Sequence, residues 1–450
     1  MAMTWSQLLS PQRFRAKNGE IIPTVTPSTQ EGIDALRTDF HIDYDRVVFS
    51  GAFRRLGRKT QVHPLAEHDL THNRLTHSVE VASVGRSLGN RVGVMLQAGG
   101  FLPENNTPGD IGAVVQVACL AHDLGNPPFG HTGEDALRHW FRKETNLRFL
   151  TSLSEAELSD VQTYEGNAHS LRIVANLEMY PDAGGMRLSA ASIGALIKYP
   201  WTSQGPRGRS KFNIYQTELP FIRRVAAELG LLEAGCDQWV RHPLSYLMEA
   251  SDDICYALLD LEDAVELELL TDTEVESVLS ELTFEESTWH AQSSRQRCAM
   301  LRGIAIGKAI EDAAQTFMKH QSDLLSGEFK GKDLISLCNP EVQNTLEKAK
   351  ELARTRIFRH RTKLMTEIAT FPCLGSILDL FVPAAHALLV ERKLDVRQSL
   401  ILDLLKNHNP ILETDSLYQA YMKILDFVGG MTDNAAAKMA QDLSGTGILR

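Results

Sequence analysis

From Arg74 onward the apolar residues of this chain recur with a period near 3.6, and that feature restricts it to helices packed on helices. No run of alternating or β-branched residues is long enough to build a substantial sheet, so the predicted fold class is all-α. Helices are predicted over residues 74–90, 110–124, 133–143, 170–177 and 243–266, with more through the C-terminal third. Loops rich in Gly, Pro or Asn fall at 99–109, 125–130, 181–185 and 201–208. An acidic, polar stretch at 271–294 divides the chain into residues 1–270, a helical core with an N-terminal extension, and residues 271–450, a helical region packed on that core.

Composition removes several classes of function. At 43% hydrophobic, 450 residues hold enough apolar material for one large core or two smaller ones. The apolar run Ile111 to Ala121 is broken by Gln116 and falls short of the roughly 20 residues that span a bilayer, so no transmembrane helix is expected. Met1 to Asn18 has no apolar core of a secretory signal, which points to a cytoplasmic protein without a membrane partner. Six scattered cysteines with no C-x-x-C pair exclude a disulfide framework or structural zinc site. The net charge of −11 argues against a broad nucleic-acid surface, although Arg54, Arg55, Arg58 and Lys59 form a local cluster suited to a small anion.

The chemistry lies in histidines and aspartates at helical spacing. His77 is followed by Val81, Val84 and Leu88, which puts it on the apolar stripe of its helix. His122 follows Ile111, Val115 and Ala118 on another such stripe, with Asp123 beside it just before Gly125. In Ser251-Asp252-Asp253, Asp252 shares its stripe with Met248, Tyr256 and Leu259, whereas Asp253 aligns with Glu249, Ala257 and Asp260; Asp252 is the inward carboxylate. Taken singly, each His is a satisfied core histidine and each Asp a helix cap. Together they place two imidazoles and two carboxylates toward one interior, and burying those carboxylates costs several kcal/mol unless a charge compensates. A divalent metal does so; the donor set suits Mn, Fe, Zn, Ni or Mg and leaves positions for water and a phosphate oxygen.

With these residues in place, the chain resembles the HD-domain phosphohydrolases, whose signature is a His, a His-Asp pair and a distal Asp on separate helices. It is more closely similar to the bacterial deoxyguanosine triphosphate triphosphohydrolase family. The matching segments begin at Phe53, His72, Ala121, Tyr164 and Glu249, with Gly430-Met-Thr-Asp433 near the end. The resemblance implies His77, His122, Asp123 and Asp252 as metal ligands, His131 as the proton-transfer residue and Glu134 as its orienting partner. It also implies Gln61, Tyr256 and Asp260 around the deoxyribose, Tyr256 crowding a 2'-hydroxyl, and Arg74 on the phosphates.

Lys198 and Lys211 flank a Gly-rich loop that would fold over a polyphosphate, and Asn167 and His169 are further candidates for the pocket, His169 standing where the family often has Gln. His131 is read as part of a loop, ahead of a helix begun by Thr132 or Gly133. The implied activity is metal-dependent hydrolysis of a deoxynucleoside triphosphate to deoxynucleoside and inorganic tripolyphosphate. The alternatives are an HD-type nucleotidase or phosphodiesterase acting on another nucleotide, and a nucleotide-binding regulator with weak catalysis. By resemblance the protein is a homo-oligomer, a hexamer in many relatives, with a nucleotide or single-stranded DNA as effector.

Overall fold

In the computed structural model, which describes residues 2–17, 19–24, 37–61, 72–205, 211–266, 269–283, 293–356 and 361–449, the first long helix starts at a cap legible in sequence. The Asn73 side chain accepts hydrogen bonds from the amides of Leu75 and Thr76 and opens the helix Arg74–Ala98, which runs on past the predicted end at residue 90. Thr107 and Asp110 form a capping box, and Pro108 takes the first-turn position of the helix Pro108–Ala121. These two helices approach closely because glycines remove the side chains between them. A Cβ at Gly93 would lie 2.7 Å from the Cα of Pro108. The helix Pro243–Glu266 packs on both members of this pair, and Ser294–Lys319 packs on Arg74–Ala98 and Pro243–Glu266.

Two hydrophobic clusters result. The larger joins Val81, Leu88, Val115, Leu247 and Ile254 with Ala309 and Leu346. The smaller surrounds the helix Gly130–Arg142, where Leu137 and Phe141 meet Leu374 and Phe381 of the helix Arg361–His386 and Tyr421 of the helix Leu417–Gly429. Both clusters draw residues from either side of residue 270, so the C-terminal region is packed into the core at two places. Among the described residues the sheet content is two short antiparallel hairpins, Phe14–Lys17 with Glu20–Pro23 and Glu233–Gly235 with Gln238–Trp239.

The stretch Ile111 to Ala121 is not the longest apolar segment. Residues Lys363–Glu391 are long and apolar enough, by length and composition, to cross a membrane. In the fold this stretch carries Pro372 and Pro383 and packs on Gly130–Arg142, Leu417–Gly429 and Asp433–Leu443, as the central helix of a core does.

The basic cluster at 54–59 is dispersed. Arg55 pairs with Glu178 at 3.0 Å, Arg54 donates to the Phe49 carbonyl at 2.8 Å, and Lys59 is buried with its ammonium on the carbonyls of Asn126 and Gly429. Burial, with Arg55 nearby, lowers the Lys59 pKa to about 7, and no joint anion grip forms.

Candidate active site

Three helices deliver the proposed ligands to one point. His77 lies in the first turn of Arg74–Ala98, His122 directly follows Pro108–Ala121, and Asp252 lies in the third turn of Pro243–Glu266. Asp252 Oδ1 is 3.1 Å from His77 Nε2 and 3.5 Å from His122 Nε2, and one ligand atom from each of the three lies within 4.8 Å of the others. His122 Nδ1 donates to the Cys119 carbonyl at 2.6 Å, which fixes the ring and leaves Nε2 facing Asp252. Asp123 stands at the edge of this group. Its Oδ1 is 3.5 Å from His122 Nε2, while its Oδ2 accepts from Arg74 Nη1 at 2.7 Å. Asp253 faces elsewhere and pairs with Lys350 at 2.7 Å.

The electrostatics suit a cation. Burial disfavours the His122 imidazolium, yet Asp123 and Asp252 outweigh it and push the pKa up to about 9. Burial likewise opposes the charge on Asp252, but His122 and His77 hold its pKa well below the usual carboxylate range. The carboxylates thus call for positive charge between the imidazoles, and two nitrogens with carboxylate oxygens are an appropriate donor set for a divalent transition metal.

The helix carrying His131 begins earlier than predicted. Phe129 takes a left-handed conformation with φ 63°, and the helix Gly130–Arg142 places His131 in its first turn instead of a preceding loop. Gly130 also has φ +59, and a Cβ there would meet Arg74 Nη2 at 2.7 Å. His131 Nδ1 is 3.1 Å from Glu134 Oε2, with the imidazole exposed to the cavity and the carboxylate buried. Burial alone would raise the Glu134 pKa. The His131 hydrogen bond and the charges of Lys211 and Arg138 lower it instead. Glu134 Oε1 also accepts from the Gly166 amide at 2.7 Å, which joins this pair to the segment bearing Asn167.

A cavity of about 570 Å³ opens over the site and is lined by His77, His122, Asp123, Asp252, His131 and Glu134, and also by Gln61, Arg74, Asn167, Lys198, Lys211 and Tyr256. Gln61 Oε1 is buried with no hydrogen-bond partner among the described residues, an acceptor left for something in the cavity. Arg74 faces the cavity with its guanidinium held on Asp123, and Lys198 and Lys211 pair with Glu249 at 3.0 Å and Glu165 at 3.2 Å. Asn167 Nδ2 donates to Glu165 Oε1 at 2.7 Å.

Two candidates lie off the wall. Asp260 is buried outside the lining residues, and its pKa is raised to about 8 by burial and by Asp263. A side chain recurring every four residues drifts about 40° around a helix, so two such steps carry Asp260 roughly 80° from Asp252. His169 is buried against the Tyr164 ring, centroids 5.1 Å apart, and burial lowers its pKa well below the usual value.

The sequence reading missed Thr60, Asn126, Phe129, Thr132, Glu165 and Tyr199, and also a wall from the helix Arg361–His386: Lys363, Thr366, Glu367 and Thr370. A signal for that wall was present, because these four polar residues stand at i, i+3, i+4 and i+7 in an otherwise apolar segment.

A helical core that brings two histidines and a distal aspartate together at one cavity is the arrangement of the HD domain, and the sequence model of the HD domain family matches residues 74–165. A deoxyguanosinetriphosphate triphosphohydrolase-like protein of Pseudomonas aeruginosa is 44% identical over 419 residues, covering 91% of this chain and 94% of the relative. Its counterpart from a Synechocystis species is 34% identical over 98% of this chain and 99% of its own length. The deoxyguanosinetriphosphate triphosphohydrolase of Klebsiella pneumoniae is 29% identical over 90% of this chain and 94% of its own. The chain belongs to the deoxyguanosinetriphosphate triphosphohydrolase-like family of HD-domain enzymes.

Proposed function

We propose that this protein hydrolyses a deoxynucleoside triphosphate to the deoxynucleoside and inorganic tripolyphosphate in a metal-dependent reaction. The observation that carries the reading is the convergence of His77, His122 and Asp252 in the same cavity as the hydrogen-bonded pair His131–Glu134. A divalent cation held by these ligands and Asp123 would supply Lewis acidity toward a phosphate oxygen and lower the pKa of an attacking water. Arg74, Lys198 and Lys211 bind and orient the triphosphate. His131, held through Nδ1 by Glu134, has Nε2 for moving a proton at the reacting oxygens. Water adds at the α-phosphorus, the bond to the 5'-oxygen breaks, and that oxygen leaves with a proton. Gln61 and Tyr256 line the nucleoside side, where the ring would crowd a 2'-hydroxyl. By the same family relation, a homo-oligomer and a nucleotide or single-stranded DNA effector are part of the proposal.

The test is product analysis with Mn- or Mg-loaded protein on a panel of dNTPs, NTPs, nucleoside monophosphates and cyclic nucleotides. Deoxynucleoside and tripolyphosphate in equal amounts support the reading. Release of orthophosphate or pyrophosphate overturns the reaction type, and binding without turnover favours a regulator.

A further inference from the structure

Two pieces of the cavity wall are tied by one carboxylate far away in sequence. Asp433, the first residue of the helix Asp433–Leu443, is buried, 373 residues beyond Thr60 and 304 beyond Phe129. Its Oδ2 accepts from the Thr60 amide at 3.0 Å and the Thr60 hydroxyl at 2.7 Å, and its Oδ1 accepts from the Phe129 amide at 2.9 Å. Thr60 precedes Gln61, and Phe129 opens the helix of His131 and Glu134. The Asp433 amide donates in turn to the Arg58 carbonyl at 3.3 Å. Four residues earlier the Gly429 carbonyl receives the Lys59 ammonium at 2.8 Å, and that ammonium also reaches the Asn126 carbonyl. Residues 429–433, at the junction of the last two long helices, therefore hold the 58–60 loop by four hydrogen bonds and the Phe129 amide by one, and Lys59 ties the two loops to each other.

Phe129 makes this grip consequential. A left-handed backbone at a residue with a large side chain persists only where its surroundings hold it, and the Asp433 carboxylate takes the amide at that point. We propose that Asp433 is a positioning residue for the reaction, setting the spacing between Gln61 on the nucleoside side and the His131–Glu134 pair. It does so without lining the cavity itself. The proposal rests on the function proposed above and gives a role to Gly430-Met-Thr-Asp433, a motif that function leaves unused.

Asp433→Asn is the informative change. An amide has one acceptor oxygen, so whichever way it turns, an NH₂ faces either the Thr60 or the Phe129 amide, donor against donor. Misplacement of reacting groups by about 1 Å costs on the order of 100-fold, so kcat should fall about 10- to 100-fold. KM should stay within about 3-fold and metal content should be unchanged, because Asp433 touches no metal donor. Tyr421→Phe, which removes a 2.7 Å bond to the Phe149 carbonyl in the same helical cluster, should leave kcat unchanged and controls for general loosening. Should Asp433→Asn not fold, Thr60→Val removes one of the three bonds and should lower kcat several-fold.

Hydrogen exchange gives a readout independent of turnover: the amides of Thr60 and of residues 129–131 should exchange faster in Asp433→Asn while the rest of the chain is unaltered. Normal kcat, a loss no greater than that of Tyr421→Phe, or metal loss in step with kcat overturns the proposal, as does unchanged exchange at those amides. A wild-type protein that hydrolyses no dNTP sinks the proposed function, while the exchange comparison still decides the positioning claim.

Discussion

Removing Asp252 and removing its neighbour Asp253 should have very different effects on metal binding, although the two differ by one position in sequence. Asp252→Ala deletes one of three converging donors together with its negative charge. Losing a hydrogen-bond partner of a metal ligand already costs about 10- to 100-fold in affinity, so losing a ligand should cost at least about 100-fold, or about 3 kcal/mol. Asp253 points about 100° around the helix, and its carboxylate pairs with Lys350 at 2.7 Å. With side chains 28% and 23% exposed, that pair contributes at most about 1 kcal/mol to stability and nothing to the metal. Asp253→Ala should therefore bind metal within about 3-fold of wild type, given that no ligand is disturbed. The assay is calorimetric titration of Mn into chelator-stripped protein, with metal content measured by mass spectrometry after desalting. If Asp253→Ala loses the metal and Asp252→Ala keeps it, the ligand assignment is wrong.

Three further outcomes follow from the same geometry. His131→Ala should keep metal and nucleotide binding but lose about 10²- to 10⁴-fold in kcat, the range for a general acid or base; loss of metal instead would make it a ligand. Tyr256→Ala should narrow the ratio of kcat/KM for dGTP over GTP, because steric exclusion and an unpartnered 2'-hydroxyl are worth roughly 2 to 4 kcal/mol, and an unchanged ratio removes Tyr256 from discrimination. His72 bonds to Asp263 at 2.5 Å and Glu80 at 3.1 Å, which raise its pKa to about 10. A raised folded-state pKa gives stability that is complete below the ordinary value near 6.5, declines by about 1.4 kcal/mol per pH unit above it, and is gone past pH 10. The stability gap between wild type and His72→Gln should therefore shrink between pH 7 and pH 10 in denaturant unfolding, and a gap that widens contradicts the assignment.

The sequence by itself determined the helical class and the direction of the key side chains within their own helices. A period of 3.6 converts residue offsets into angles, so His77 on the stripe of Val81 and Leu88, and Asp252 in preference to Asp253, follow from spacing alone. The same arithmetic, carried two steps further, explains why Asp260 leaves the cavity wall that Tyr256 still reaches. Spacing also marks Lys363, Thr366, Glu367 and Thr370 as one polar face, yet only the packing of Arg361–His386 on Gly130–Arg142 shows that this face looks into the cavity.

The start of the His131 helix was not legible either. Local signals place it at Thr132 or Gly133, but Phe129 and Gly130 take left-handed backbone angles with Asp433 on the Phe129 amide and Arg74 against Gly130. Periodicity is a property of one helix in its own frame. Which helices meet, and which strained turns their meeting sustains, depends on contacts between residues hundreds of positions apart, and those exist only once the core has closed.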